Sequence, residues 1–130
     1  MFISLANAKK AKALGIVLSM QPNFSYDSLH YKDRLLEKYC RANNPFRKLI
    51  DQADFIPGVD LIFGSDGMPH GIDYALKQSL FPPYDDQKLT LEEFTAGYCI
   101  ENMEVGYIDL VIDEKNKTLS TKVELKDRSK

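Results

Sequence analysis

Histidine is scarce in this chain: His30 and His70 are the only two among 130 residues. A site that needs three histidines from one copy is excluded. Cysteine is equally rare. Cys40 and Cys99 lie far apart and neither sits in a C-x-x-C pair, which argues against a structural zinc site and predicts two reduced, buried thiols. No apolar run approaches the ~20 residues of a membrane-spanning helix. The opening MFISLANAKKAKALG places its lysines after its short apolar part, the reverse of a secretory leader. A cytoplasmic chain with no membrane partner is the expectation. Charge of one sign is lacking too. A net charge of −2 supplies no field for nucleic acid, and Lys9, Lys10 and Lys12 read as one solvated helix face.

What is present is ordinary for a globular domain: 44% hydrophobic and 28% charged residues, about one domain by length. Residues 2–15 are rich in Ala, Leu and Lys, good helix formers, with Gly15 as the stop. IVLSM (16–20) is a short apolar run suited to a parallel strand buried on both faces, and Gln21-Pro22 ends it. Spacing predicts a helix over 28–41, with Leu29, Leu36, Tyr39 and Cys40 on one side. Another follows with Asn44 as N-cap, Pro45 at the first helical position, and Phe46, Leu49, Ile50 and Ala53 inward. After the Pro57-Gly58 turn, VDLIFG (59–64) reads as a second buried strand. Two apolar strands joined by helices make a βαβ unit, parallel and right-handed by default.

Beyond it, residues 72–80 read as a helix with Ile72, Ala75, Leu76 and Leu80 inward, and FPPYDDQ as a proline-broken loop. Thr90 and Glu93 have capping-box spacing ahead of Leu91, Phe94 and Tyr98. GYIDLVID and TLSTKVEL flank EKNK as an antiparallel hairpin with one wet face: Leu119, Thr121, Val123 and Leu125 point one way, Ser120, Lys122 and Glu124 the other. Two parallel strands leave open edges beside apolar faces, so further strands are expected to complete the sheet.

LGIVLSMQP, then LIFGSDGMP some 40 residues later, then the LTLEEF helix, resemble in order and spacing the C-terminal stretch of the metal-dependent amidohydrolases, in the branch of predicted amide and formamide hydrolases. The resemblance covers residues 3 to 113. It implies an α/β fold: the last two parallel strands of a (β/α)8 barrel with their helices (1–104), then a hairpin like the end of the family's small β domain (105–130). Barrel active sites lie at the C-terminal strand ends. Asp66, at the tip of the last strand, would be metal ligand and proton shuttle, with zinc the first choice of divalent metal for hydrolysis of amide (C–N) or ester bonds by metal-activated water. The family's other ligands come from earlier strands, an HxH pair among them, and no HxH occurs here. The expectation is therefore a partial barrel, inactive alone, that self-associates or needs a companion chain for the missing strands. The alternatives are a non-catalytic, self-associating remnant and an unrelated small α/β binding domain.

Each candidate also has a plainer reading. Asp66 is either ligand and acid/base or a turn aspartate bonded to backbone N–H groups. Gln21 and Ser65 are pocket-lining donors or simple strand-end residues, without a histidine base or a GxSxG motif to activate a serine. Met68 is a substrate wall or ordinary packing, and His70 an extra ligand or a pocket-lining surface residue. His30 reads as helix surface, and Glu92 and Glu93 as helix-start charges that favour the dipole.

Overall fold

A computed structural model of the chain describes residues 2–66, 72–99 and 106–125. Helices and strands are mixed, with an antiparallel hairpin toward the C-terminus. Helix α1 runs from Leu5 to Ala13. It starts later than the alanine-rich composition suggests, because the Ser4 side chain caps it by accepting from the Asn7 N–H at 3.2 Å. Phe2 instead makes an isolated antiparallel bridge to Asn43. Gly15, at φ +68°, ends the helix, and the Ile16 N–H returns to the Ala11 carbonyl at 3.0 Å.

Strands β1 (Leu18–Met20) and β2 (Leu61–Phe63) pair in parallel, with Leu18 opposite Leu61, Ser19 opposite Ile62 and Met20 opposite Phe63. Both are shorter than expected. Ile16 is committed to the helix cap. Val59 and Asp60 close a turn onto the Ile56 carbonyl at 3.0 and 3.1 Å, so their N–H groups never join the ladder. Ile16, Val17 and Val59 are correspondingly exposed. The expectation of burial on both faces also needs correction. Met20, Leu61 and Phe63 are buried on one face with Leu18 partly covered, while on the other Ser19 is exposed and Ile62 half-buried.

The helix expected over 28–41 is broken. A 3-10 turn (Pro22–Tyr26) leads into α2 (Asp27–His30), a turn follows, and α3 spans Glu37–Arg41. Residues 31–36 are exposed throughout, and Leu36 is extended at ψ 145°. With no apolar stripe to bury there, packing cannot repay helix formation. Leu36 and Tyr39 face solvent, and of the expected inward side only Cys40 is fully buried. Helix α4 (Phe46–Ala53) starts one residue later than expected. Pro45 holds the cap position, and Asn44 adopts φ +47° with its side chain turned to other work.

Helices α5 (Ile72–Leu80) and α6 (Leu91–Tyr98) form where spacing places them, α6 with the Thr90–Glu93 capping box. Glu93 also pairs with Arg47 at 2.7 Å, a structural use of the carboxylate. Strands β3 (Gly106–Asp113) and β4 (Thr118–Leu125) pair residue for residue around the 114–117 turn, where Asp113 accepts from the Asn116 backbone at 3.0 Å and side chain at 2.7 Å. Leu110 and Leu119 pack against the core, whereas Val123 is exposed.

That core centres on Phe63. Its ring meets Phe46 edge-on at 5.4 Å and lies parallel to Phe94 at 6.4 Å. Gly97 packs so closely that an added Cβ would lie 2.5 Å from two ring carbons of Phe63. Two further expectations change. Cys99 is exposed, because it caps α6 beyond the inward stripe. Lys12 is only partly solvated: its ammonium pairs with Asp60 and lies over the Phe55 ring.

Gly97→Ala is expected to lose about 1–3 kcal/mol in urea unfolding, since the clash with a clamped ring outweighs the gain in helix propensity. The Lys12–Asp60 pair predicts a pH effect. Burial works to raise the Asp60 carboxyl, but hydrogen bonds from Lys12 and from the Ile56 N–H outweigh it and hold it below the ordinary aspartate range. The pair therefore stabilises the fold above that range and is lost as the pH falls through the lowered value. The stability difference between wild type and Asp60→Asn should be largest near neutrality and shrink below about pH 4.

Candidate functional site

Because β1 and β2 are parallel, the chain leaves both strands at the same edge of the sheet. Gln21 follows β1, and Gly64, Ser65 and Asp66 follow β2. The Gly64 N–H still donates to the Met20 carbonyl at 3.0 Å, so the tips stay together one step past the ladder. Asp66 is exposed and sits at φ +52°, a left-handed conformation that aspartate tolerates better than most residues. The Ser65 hydroxyl donates to the Asp66 carbonyl at 3.4 Å. Met68 and His70 lie outside the described residues.

Buried amides hold this edge. Asn23 Nδ2 donates to the Ser65 carbonyl at 2.8 Å, tying the segment after β1 to the residue before Asp66. Asn44 Nδ2 donates to the Gln21 carbonyl at 2.9 Å and to Ser25 Oγ at 3.2 Å. Asn43 Nδ2 reaches the Phe24 carbonyl at 2.9 Å and Ser28 Oγ at 3.3 Å. Gln87, wholly buried, sends its Nε2 to Ser28 Oγ at 2.7 Å and to the Asn43 carbonyl at 2.8 Å. Loop backbone that turns away from a sheet must find partners when buried, and these side chains supply them. Beside them, Gln21 lines a recess of about 270 Å³ with Phe2, Phe24, Asp27 and Tyr31.

The parallel pair thus brings Gln21, Ser65 and Asp66 to one edge. His30 lies elsewhere, edge-on to Tyr26 with Nδ1 3.5 Å from Asp27, and is exposed. Glu92 and Glu93 belong to the start of α6. Sequence reasoning singles out Asn44 only as a helix N-cap and does not single out Asn23, Asn43 or Gln87. Asparagine is common in turns and caps, and only tertiary contacts distinguish such an asparagine from a buried strut.

No family model, curated protein or solved structure matches the chain. The site rests on its own chemistry. Among the described residues no three His, Cys, Asp or Glu side chains come together to hold a metal ion. Asp66 is a single exposed carboxylate there, so the described residues do not by themselves fit a divalent metal. The edge can present a carboxylate, a hydroxyl and an amide, positioned by buried struts. No described helix is long and apolar enough to cross a membrane.

Asn44→Ala is expected to lose about 1–3 kcal/mol, because it removes a donor from the Gln21 carbonyl and takes its Asn44 partner from the buried Ser25 hydroxyl. Asn44→Gly should lose less, since glycine keeps the left-handed backbone without steric cost. Denaturant midpoints of the two variants check this.

Proposed function

We propose that this chain is the C-terminal part of an amidohydrolase-like (β/α)8 barrel, with residues 1–104 as its last two strand–helix units and 105–130 as a hairpin of the small β domain. Its basis in the sequence is the ordered set LGIVLSMQP, LIFGSDGMP and LTLEEF. The observation that carries it further is one-sided cover of a parallel pair. The core packs on the face of Met20, Leu61 and Phe63, while Ser19 on the other face is open. In a barrel, helices cover the outer face of each strand, and the inner face is closed by strands from around the ring. The common edge with Gln21, Ser65 and Asp66 then corresponds to the C-terminal mouth.

On this reading the complete fold hydrolyses an amide or an ester, and Asp66 moves protons between the attacking water and the leaving group. Gln21 and Ser65 line the mouth. A divalent metal, zinc first, would need ligands beyond the described residues, contributed by a companion polypeptide or further chain. The isolated chain is expected to show no turnover of simple esters or amides. Exposed Ile16, Val17 and Val59 beside two open strand edges favour a second reading, a non-catalytic self-associating protein.

The reading frame upstream of the Met1 codon decides between them. An in-frame extension, or a co-purifying chain, that carries an HxH pair and further histidines is expected. In the protein so completed, Asp66→Asn should lower hydrolysis about 10²–10⁴-fold with the fold intact. A stop codon nearby, with only a homo-oligomer in solution, would overturn the hydrolase reading.

A further inference from the structure

A second feature lies apart from the strand tips. Tyr74 and Gln78 are one helical turn apart on α5, and Phe81 follows one residue after that helix ends. With Tyr26 and the Pro82-Pro83 step they wall a cavity of about 450 Å³, a size within the roughly 300–1,000 Å³ of small-molecule sites. Gln78 is the one buried residue of the lining, 6% exposed, and its Oε1 has no hydrogen-bond partner among the described residues. A buried acceptor left unpaired is unfavourable, and a ligand donor would satisfy it. Lys77 and Lys117 also line the cavity, and neither is in an ion pair among the described residues. Burial first, then the nearby Asp27 carboxylate and Tyr26, raise the Tyr74 phenol above its ordinary range, so it stays neutral at physiological pH.

We propose that this cavity binds a small planar aromatic acid that carries a hydrogen-bond donor. The ring packs against Tyr26, Tyr74 and Phe81, the Gln78 amide turns so that Oε1 accepts from the donor, and the carboxylate is set between Lys77 and Lys117. A purely apolar ligand would leave the Gln78 oxygen unpaired, and a cation would meet two ammonium groups. The site is independent of the barrel reading, and neither stands or falls with the other.

The test is ¹H–¹⁵N NMR titration of the full chain with 4-hydroxybenzoate, benzoate and phenol. Saturable shifts at Tyr74, Phe81 and the Gln78 side-chain amide are expected with 4-hydroxybenzoate. Benzoate, which lacks the donor, should bind about tenfold more weakly, as expected when a site's buried polar group is left unpaired. Gln78→Leu should abolish that preference while benzoate still binds. Lys77→Glu, at an exposed position, should weaken both acids and leave phenol unchanged, and it decides the matter if Gln78→Leu fails to fold. Shifts that do not saturate, or that fall outside this cavity, would overturn the proposal. So would equal binding of benzoate and 4-hydroxybenzoate, or acid binding that Lys77→Glu does not weaken.

Discussion

The packing of the Phe63 ring is the constraint on which the rest of the structure depends. Phe63 is the last residue of β2, and its ring is held by Phe46 of α4, Phe94 of α6 and the bare backbone of Gly97. A three-residue parallel strand contributes only a few ladder hydrogen bonds, too few to set its own position against the entropy of ordering it. Burial of a large aromatic side chain, worth roughly 1.5–3 kcal/mol, fixes β2 relative to helices on either side of it in the sequence. Gly64, Ser65 and Asp66 follow at once, so the place where the carboxylate leaves the sheet is inherited from that ring.

Polar groups then do for the loops what Phe63 does for the strand. The segments after β1 and β2 leave the sheet together and turn sharply, which buries carbonyls that have no ladder partner. Asn23, Asn44, Asn43 and Gln87 answer those carbonyls from three parts of the chain. Such a network is demanding, since removal of one member leaves another stranded in a low-dielectric interior. It also gives the strand-tip edge a rigidity that short strands alone would lack. A carboxylate at φ +52° on a braced edge differs from the same residue at the end of a frayed loop.

Much of this was legible in the residues. The two apolar runs, their parallel sense, the Thr90 cap and the 106–125 hairpin follow from spacing and turn chemistry, because their inward faces are regular enough to be seen locally. A continuous helix over 28–41 does not form, because Leu36 and Tyr39 imitate an inward stripe yet face solvent, with Leu29 only half-buried. Val59 and Ile16 were read as strand because apolarity says nothing about where an N–H is already committed. The amide struts left no local mark: Gln87 sits in a loop that reads as polar and wet, yet it is wholly buried. Sequence patterns report which residues prefer burial, and they miss polar residues buried for the hydrogen bonds they make.

The open face of the parallel pair is the strongest constraint on what surrounds this chain. Parallel sheets normally have both faces covered, and an open edge presents unpaired backbone. Here one face carries the core, the other leaves Ser19 in solvent, and among the described residues both strands are edges. More helices on the Ser19 face would give a layered sheet and leave the strand edges unpaired. Further strands closing around that face would pair both edges at once. The second arrangement would satisfy more of the unpaired backbone, and under the proposed barrel reading the edge that bears Gln21, Ser65 and Asp66 would become the rim of an enclosed mouth rather than the margin of a flat sheet.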